Sequence, residues 1–430
     1  LTNQDAEDRA KWRRKSRKAD PGLPRGMQPG GNIARMMMMM MMNCLWSGCF
    51  YYYTRLFAGQ SLWLDGLAKS LGYESVYHHA VIIDAGSSGT RVLAYKFRVP
   101  FTANLDLVDE YFAQSKPGLS SYADDPAKGA DTIVQLIKKA EFLTPVEKRR
   151  ETPLIVRATA GLRLLPFQSL YYTNILPLFR LGYDTDSHSV EIMDGSDEGI
   201  FIWYTINLLH NLIGRETMAA LDLGGGSTQI TYQLTEDVTA QYPTVDQYVI
   251  PAGENVTLYT HSYLNLGLLA ARYGVFLQEA GGNETSHYTS VCVEPIIQNE
   301  PWTYANKQYY IRYARCIILS RLSIPPRGAV AAMSYFYDVA ADAGIIDVMS
   351  GGTVNVAQYR QAAMKACSAS NVEQPFACVD LVYVTTLLRD AYKIHDNEPI
   401  SLFKKVNGHE VSWALGLAYT TVMNRHATVV

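Results

Sequence analysis

The chain has 430 residues, of which 48% are hydrophobic and 18% charged, enough to bury substantial cores in two domains. A net charge of −3 excludes nucleic acid as the main partner. Six cysteines and two Asn-X-Ser/Thr sequons, at Asn255 and Asn283, point instead to a secretory compartment and glycosylation. Cys292 with Cys316 and Cys367 with Cys378 form two local pairs, although sequence alone leaves their connectivity open.

Residues 1–35 are polar and crowded with Lys11, Arg13, Arg14, Lys15, Arg17 and Lys18, a composition that predicts disorder. Met36–Thr54 carries no charge and lies between Arg35 and Arg55. Its length suits one membrane crossing of roughly 20 residues, with the basic tail cytoplasmic and the remainder luminal. A cleaved signal peptide or a low-complexity artefact of a misplaced start are the other readings of this stretch.

From His79 the pattern turns to α/β. Val81-Ile82-Ile83 is a short apolar run that ends at Asp84; the loop Gly86-Ser87-Ser88-Gly89-Thr90 follows, and Arg91–Phe97 resumes an extended pattern. The same grammar recurs at Ala220–Tyr232, where Asp222 precedes Gly224-Gly225-Gly226-Ser227-Thr228 and Gln229. Between them, the apolar spacing of Thr132–Phe142 predicts a helix, and Pro153–Ala160 a strand leading to Gly161. Val190–Met193 predicts another strand, followed by Asp194–Gly199 and a helix over Ile200–Leu209, with Ser196 as a cap and Asp197 and Glu198 in the first turn. Further on, helices are predicted at Tyr263–Tyr273, Val356–Ala366, Asp380–Tyr392 and Glu410–Ala418, with a loop-rich region at 280–320.

A loop of Gly, Ser and Thr lets main-chain N–H groups approach phosphate oxygens without an intervening Cβ. An Asp at the strand end before it is placed to hold the waters of a hard divalent cation such as Mg²⁺. Either loop alone is equally a plain hairpin turn. Two of them with matching Asp84 and Asp222 describe a clamp on a polyphosphate. Hydrolysis also needs a base for water, and Glu198 is the best candidate. From spacing alone its plain reading is a surface glutamate favoured by the helix dipole. Thr159 and Gln229 are candidates for orienting the same water, or ordinary polar residues at strand edges. There is no Walker-type Gly-Lys-Ser/Thr loop, no His/Cys metal cluster and no motif for a covalent intermediate.

At this point the chain resembles a known family. The paired loops are similar to those of the actin, sugar-kinase and heat-shock-ATPase superfamily. Five blocks narrow this to the apyrase, or nucleoside triphosphate diphosphohydrolase, family: DAGSSGTR at 84–91, ATAGLRLLP at 158–166, MDGSDEGIFIW at 193–203, LDLGGGSTQI at 221–230 and MSYFYD at 333–338. KPGLSSYADDP, YTHSYLNLG and VSWALG resemble its luminal nucleoside diphosphatases. The resemblance implies an α/β fold of two actin-like, ribonuclease H-like domains with a nucleotide cleft, one over 79–194 and 404–430, the other over 195–403. It implies hydrolysis of UDP and GDP to monophosphate and phosphate with Ca²⁺ or Mg²⁺, in the ER or Golgi lumen, by a monomer that is secreted or held by a single N-terminal anchor. By position, Glu198 matches the catalytic base, Thr159 and Gln229 the water-positioning residues, and Asp84 and Asp222 the metal-water ligands. Gly86, Ser87, Ser88, Gly89, Thr90 and Arg91 match the first phosphate loop. Gly224, Gly225, Gly226, Ser227 and Thr228 match the second. Tyr337 lies where the family stacks the nucleobase, and Cys292–Cys316 and Cys367–Cys378 match two luminal disulfides. The departures are Gly226 where Ala is usual and Met333 where Phe is common. The same superfamily leaves a sugar or acyl kinase, or an exopolyphosphatase, as alternatives; an acceptor-dependent product marks the kinase.

Overall fold

The computed structural model describes residues 76–99, 105–122, 124–163, 180–235, 246–252, 254–290, 298–304, 307–313, 326, 328–368, 371 and 373–429. The expected anchor at 36–54, Cys292 and Cys316 lie outside them. Among the described residues no helix is long and apolar enough to cross a membrane. The chain divides into two units. Residues 1–78 and 97–108 form one, in which Arg98 pairs with Asp106 at 2.7 Å. Residues 79–96 and 109–430 form the other, which holds the elements described below apart from the start of β1, the end of β2 and the start of β3.

Two sheets carry this α/β unit. In the first, β1 (Val76–Ala85) is central, with β2 (Thr90–Val99) and β3 (Asp106–Ser115) on one side and β4 (Leu154–Ala158) and β5 (Val190–Ile192) on the other. β1, β4 and β5 are parallel, and Ala85 pairs with Ala158. In the second sheet β6 (Ala219–Leu223) takes the central place. β7 (Ser227–Gln233), β8 (Gln247–Ala252) and β9 (Glu254–Leu264) extend it on one side in the order β6-β7-β9-β8. β10 (His287–Ser290), β11 (Gln298–Tyr304) and β12 (Lys307–Tyr313) form a separate small sheet. β13 (Val330–Ser334), β14 (Gly352–Val354) and β15 (Ile400–Leu402) complete the second sheet on its other side, with β13 parallel to both β6 and β15. The order β5-β4-β1-β2-β3 is therefore repeated as β15-β13-β6-β7-β9. Each central strand is buried on both faces, as its continuous apolar run requires, and each runs out at an aspartate, Asp84 or Asp222.

Helices cover the sheets. α1 (Pro126–Ala140) begins at Asp125, whose carboxylate accepts the Lys128 N–H, and sets Ile133, Leu136 and Ile137 against Val81, Ile83 and Val92. The short α2 (Ala160–Arg163) follows β4, and α3 (Gly195–Leu209) follows β5. α4 (Leu268–Glu279), α5 (Tyr335–Asp342), α6 (Val356–Ser368), α7 (Ala377–Thr386) and α8 (Trp413–Val429) complete the helices used here. Phe336, Tyr337, Tyr359, Val384 and Leu388 join the second core.

Four predicted elements take other bounds or another form. Tyr263–Tyr273 is the end of β9 and the start of α4, because the residues around Gly267 turn the chain there. The region 280–320 holds the small sheet, built on Phe276, Tyr288, Trp302 and Tyr309, an aromatic cluster with no alternating pattern to announce it. Asp380–Tyr392 is α7 closed by a π-turn at Leu387–Ala391. The terminal helix starts at Trp413, after Glu410 has paired with Lys405 in a two-residue strand.

α8 lies against α3 through a contact only a glycine permits. A Cβ on Gly416 would collide with the Phe201 carbonyl, and Thr205 Oγ1 donates to Ser412 O at 2.7 Å while accepting the Gly416 N–H at 2.9 Å. Gly416→Ala should therefore force the helices apart and cost about 1–3 kcal/mol, as overpacking does. Chemical denaturation reads this as a lower midpoint at unchanged slope.

Candidate active site

The two loops are the same turn built twice. Gly86 N–H donates to Gly89 O at 3.0 Å, and Gly224 N–H to Ser227 O at 3.0 Å, each two residues beyond its aspartate. The loops face each other closely: a Cβ on Gly225 would sit 2.6 Å from Ser87 Oγ. α4 braces the second loop from behind, with its first N–H groups taken by loop carbonyls, Leu268 to Gly224 at 2.9 Å and Leu269 to Gly225 at 3.0 Å. The Tyr335 hydroxyl lies near Ser88.

Asp84 and Asp222 are buried at these loops, each 5% exposed. Burial pushes the Asp84 carboxyl up, and Arg91, donating to Oδ2 at 2.9 Å, opposes it. Burial raises Asp222 as well; a 2.6 Å hydrogen bond from Ser334 opposes this, and the charge of Asp84 adds to the rise. Asp84 Oδ1 is buried with no hydrogen-bond partner among the described residues. An orphaned oxygen opposite a second carboxylate fits a hard cation held largely through its waters. Among the described residues no group of three His, Cys, Asp or Glu side chains is placed to hold a metal ion directly.

Glu198 is brought to the same place. The Asp194 carboxylate, not Ser196 as expected, caps α3 by accepting the Ser196 N–H at 3.0 Å, which puts Glu198 in the first turn. It is not the surface residue that spacing suggests but 6% exposed. Its Oε2 accepts from Arg163 Nη2 at 2.6 Å and from Gln229 Nε2 at 3.3 Å. Gln229 also donates to Ser227 Oγ at 2.8 Å and Ser262 Oγ at 3.0 Å, so the second loop and the carboxylate share one buried network. Desolvation pushes Glu198 up to about 8; Arg163 opposes the shift, and Asp222 and Asp84 reinforce it. Gly195 makes room for Ser262 first and for the arginine as well, since a Cβ there would collide with the Ser262 side chain and come 2.5 Å from Arg163 Nη1.

The remaining predicted residues divide. Thr159 is buried beside the first loop, its N–H donating to Ala85 O at 3.2 Å. Thr90 and Thr228 are fully buried, so neither hydroxyl lies on an open face. Arg91 is committed to Asp84. Tyr337 is a correction: it lies in the second core at 3% exposure, its hydroxyl donating to Val348 O at 2.8 Å, and it offers no face for a base. The Cys367–Cys378 disulfide is formed, and Asn255 and Asn283 are exposed. Sequence reasoning missed Arg163, Ser262 and Ser334. Arg163 and Ser334 sit inside the quoted motifs, but nothing local marks them as partners of Glu198 and Asp222. A cavity of about 210 Å³ is lined by Arg272, Asp342, Phe376 and Asp380, with the Arg272 guanidinium 4.6 Å above the Phe376 ring.

A family model for GDA1/CD39 (nucleoside phosphatase) proteins matches residues 72–312 and 305–428. The chain belongs to the GDA1/CD39 family. Among curated members it is 34% identical to the nucleoside-diphosphatase uda-1 of Caenorhabditis elegans, covering 79% of this chain and 81% of that protein. It is 34% identical to the nucleoside diphosphate phosphatase ENTPD5 of Homo sapiens, over 84% and 92% of the two chains. Among solved structures, nucleoside triphosphate hydrolases of Neospora caninum superpose with a TM-score of 0.57 at 14% identity, covering 87% of this chain and 97% of that one, which shows a shared fold.

The raised Glu198 carboxyl has a sign that can be checked. Its folded value, about 8, lies above the ordinary 4.5, so folding favours the protonated form. The resulting stability is full below pH 4.5 and is lost as pH rises through 8. In chelator, Glu198→Gln should therefore gain melting temperature relative to the parent as pH is raised across that window. A difference that stays flat with pH would contradict the burial.

Proposed function

We propose that this protein hydrolyses nucleoside diphosphates, UDP and GDP foremost, to the monophosphate and phosphate, with a divalent cation, Ca²⁺ or Mg²⁺. The observation that carries the reading is the burial of Glu198 between Arg163 and Gln229, in one network with the second phosphate loop. Backbone N–H groups of the two facing loops bind the phosphate oxygens and hold the terminal phosphorus in line. Gln229 and Thr159 orient a water, and Glu198 Oε takes its proton as the oxygen attacks. A carboxylate whose affinity for a proton is raised is a better base at neutral pH than an exposed one. Arg163 holds the carboxylate in place and balances its charge. Asp84 and Asp222 would hold a divalent cation through its waters, and when bound it would supply charge neutralisation on the phosphates. The base of the nucleotide is received by the cavity at Arg272 and Phe376, where a stacked guanidinium and ring form a flat wall. Arg272 lies one helical turn beyond the α4 residues that brace the second loop.

We infer a two-domain division at 79–194 with 404–430 and 195–403; the presence of two separate sheets supports it. A luminal setting, membrane-anchored or secreted, is supported by the Cys367–Cys378 disulfide and the exposed sequons at Asn255 and Asn283. In that setting the reaction would clear the diphosphate left by glycosyl transfer. A single chain carries every residue named here, which suits a monomer.

Two outcomes follow. Glu198→Gln should lower kcat by on the order of 10²–10⁴ while nucleotide affinity holds, measured as phosphate release and equilibrium binding. Full activity in this variant would remove the assignment. Phe376→Ala should raise KM for UDP and GDP by about tenfold with little change in kcat, the mark of lost uniform binding. A nucleotide panel assayed with Ca²⁺, with Mg²⁺ and with chelator, without any acceptor, separates hydrolysis from kinase transfer.

A further inference from the structure

The π-turn at Leu387–Ala391 delivers a side chain to the second phosphate loop. Tyr392 N–H reaches back five residues to Leu387 O at 2.9 Å, one more than a regular turn allows. Such insertions cost helix stability and are kept where they place a side chain for use. Tyr392 is 1% exposed, and its hydroxyl lies 2.9 Å from Thr228 Oγ1, a contact spanning 164 residues of sequence. Thr228 Oγ1 in turn lies 2.8 Å from the Asp222 carbonyl oxygen. A carbonyl only accepts, so the single Thr228 proton is spent there, and Tyr392 must be the donor to Thr228. The direction of the chain is thereby fixed: Tyr392 O–H to Thr228 Oγ1, and Thr228 O–H to Asp222 O.

This chain closes the β6–β7 hairpin from within. Asp222 and Gln229 are cross-strand partners, and Thr228 is the residue next to Gln229. The first loop lacks the brace: Thr90, in the equivalent place, is fully buried and its Oγ1 has no partner among the described residues. The braced loop is the one that carries Gln229, which touches Glu198.

We propose that Tyr392 is a positioning residue: through Thr228 it sets the spacing between the Asp222 carboxylate and the Gln229 amide. Aligned hydrogen bonds in a dry site polarise one another, so loss of the first loosens the second. The inference rests on the hydrolase reading for its effect on rate, and on geometry alone for its effect on cation binding.

Tyr392→Phe keeps the ring and deletes only the donor. It should lower kcat about tenfold with KM for the nucleotide within about twofold, and weaken Mg²⁺ binding, titrated calorimetrically, by a similar factor. Thr228→Val should give a comparable loss, Thr228→Ser, which keeps the hydroxyl, should lose clearly less than Thr228→Val, and the Tyr392→Phe/Thr228→Val double variant should lose no more than Thr228→Val alone. Parental kcat and Mg²⁺ affinity in Tyr392→Phe, or additive losses in the double variant, would overturn the proposal, as would losses that merely follow a falling melting temperature. If Tyr392→Phe does not fold, the Thr228 pair decides: equal losses in Thr228→Ser and Thr228→Val would also overturn it. A parent protein that hydrolyses no nucleotide would defeat the hydrolase reading, while the Mg²⁺ titrations would still decide the brace.

Discussion

Three carboxylates are buried together in this protein. Asp84, Asp222 and Glu198 are each about 5–6% exposed; Asp84 raises the proton affinity of Asp222 and of Glu198, and Asp222 raises that of Glu198. Burial of like charges is unfavourable, and the fold compensates only in part, with Arg91 on Asp84, Arg163 on Glu198 and the Ser334 hydroxyl on Asp222. The unpartnered Asp84 Oδ1 is the remainder. A site that keeps such an imbalance is suited to a ligand that brings its own charge, and a hydrated divalent cation with a polyphosphate does so. The packing answers to this constraint, from Gly195 making space for Arg163 to α4 holding the second loop from behind.

The repeated sheet order explains how the carboxylates meet. β1 and β6 are the central strands of two sheets with the same neighbours in the same sense, and each ends in a loop of the same hydrogen-bonded turn. In the first sheet the parallel neighbour β4 carries Thr159 just beyond its end; in the second, β13 ends at Ser334, which bonds Asp222. The two halves differ in the partners of the residue that follows each loop. Where the first loop is followed by Arg91, the second is followed by Gln229, so one side pairs with its own aspartate and the other reaches Glu198.

The central strands, the paired aspartates and both loops were legible in the sequence because their signals are local: an apolar run, an acid, then small residues. Glu198 was legible as a candidate but not as a buried one. Its environment comes from Arg163, 35 residues away, and from Gln229, 31 residues away, and no spacing rule reaches across such intervals. Ser334 was hidden for the same reason, its partner being 112 residues distant. Tyr337 failed differently: its motif was found, but α5 turns that residue into the core and leaves Tyr335 facing the first loop. The small aromatic sheet and the π-turn had no periodic signature to offer.

The central claim is that water, activated at Glu198, attacks the terminal phosphorus of a nucleoside diphosphate. Hydrolysis of UDP in ¹⁸O-labelled water, followed by mass spectrometry of both products, tests it most directly. One labelled oxygen should appear in the released phosphate and none in the monophosphate. Label in the monophosphate, or phosphate transferred to an added hydroxyl acceptor without label, would contradict the account.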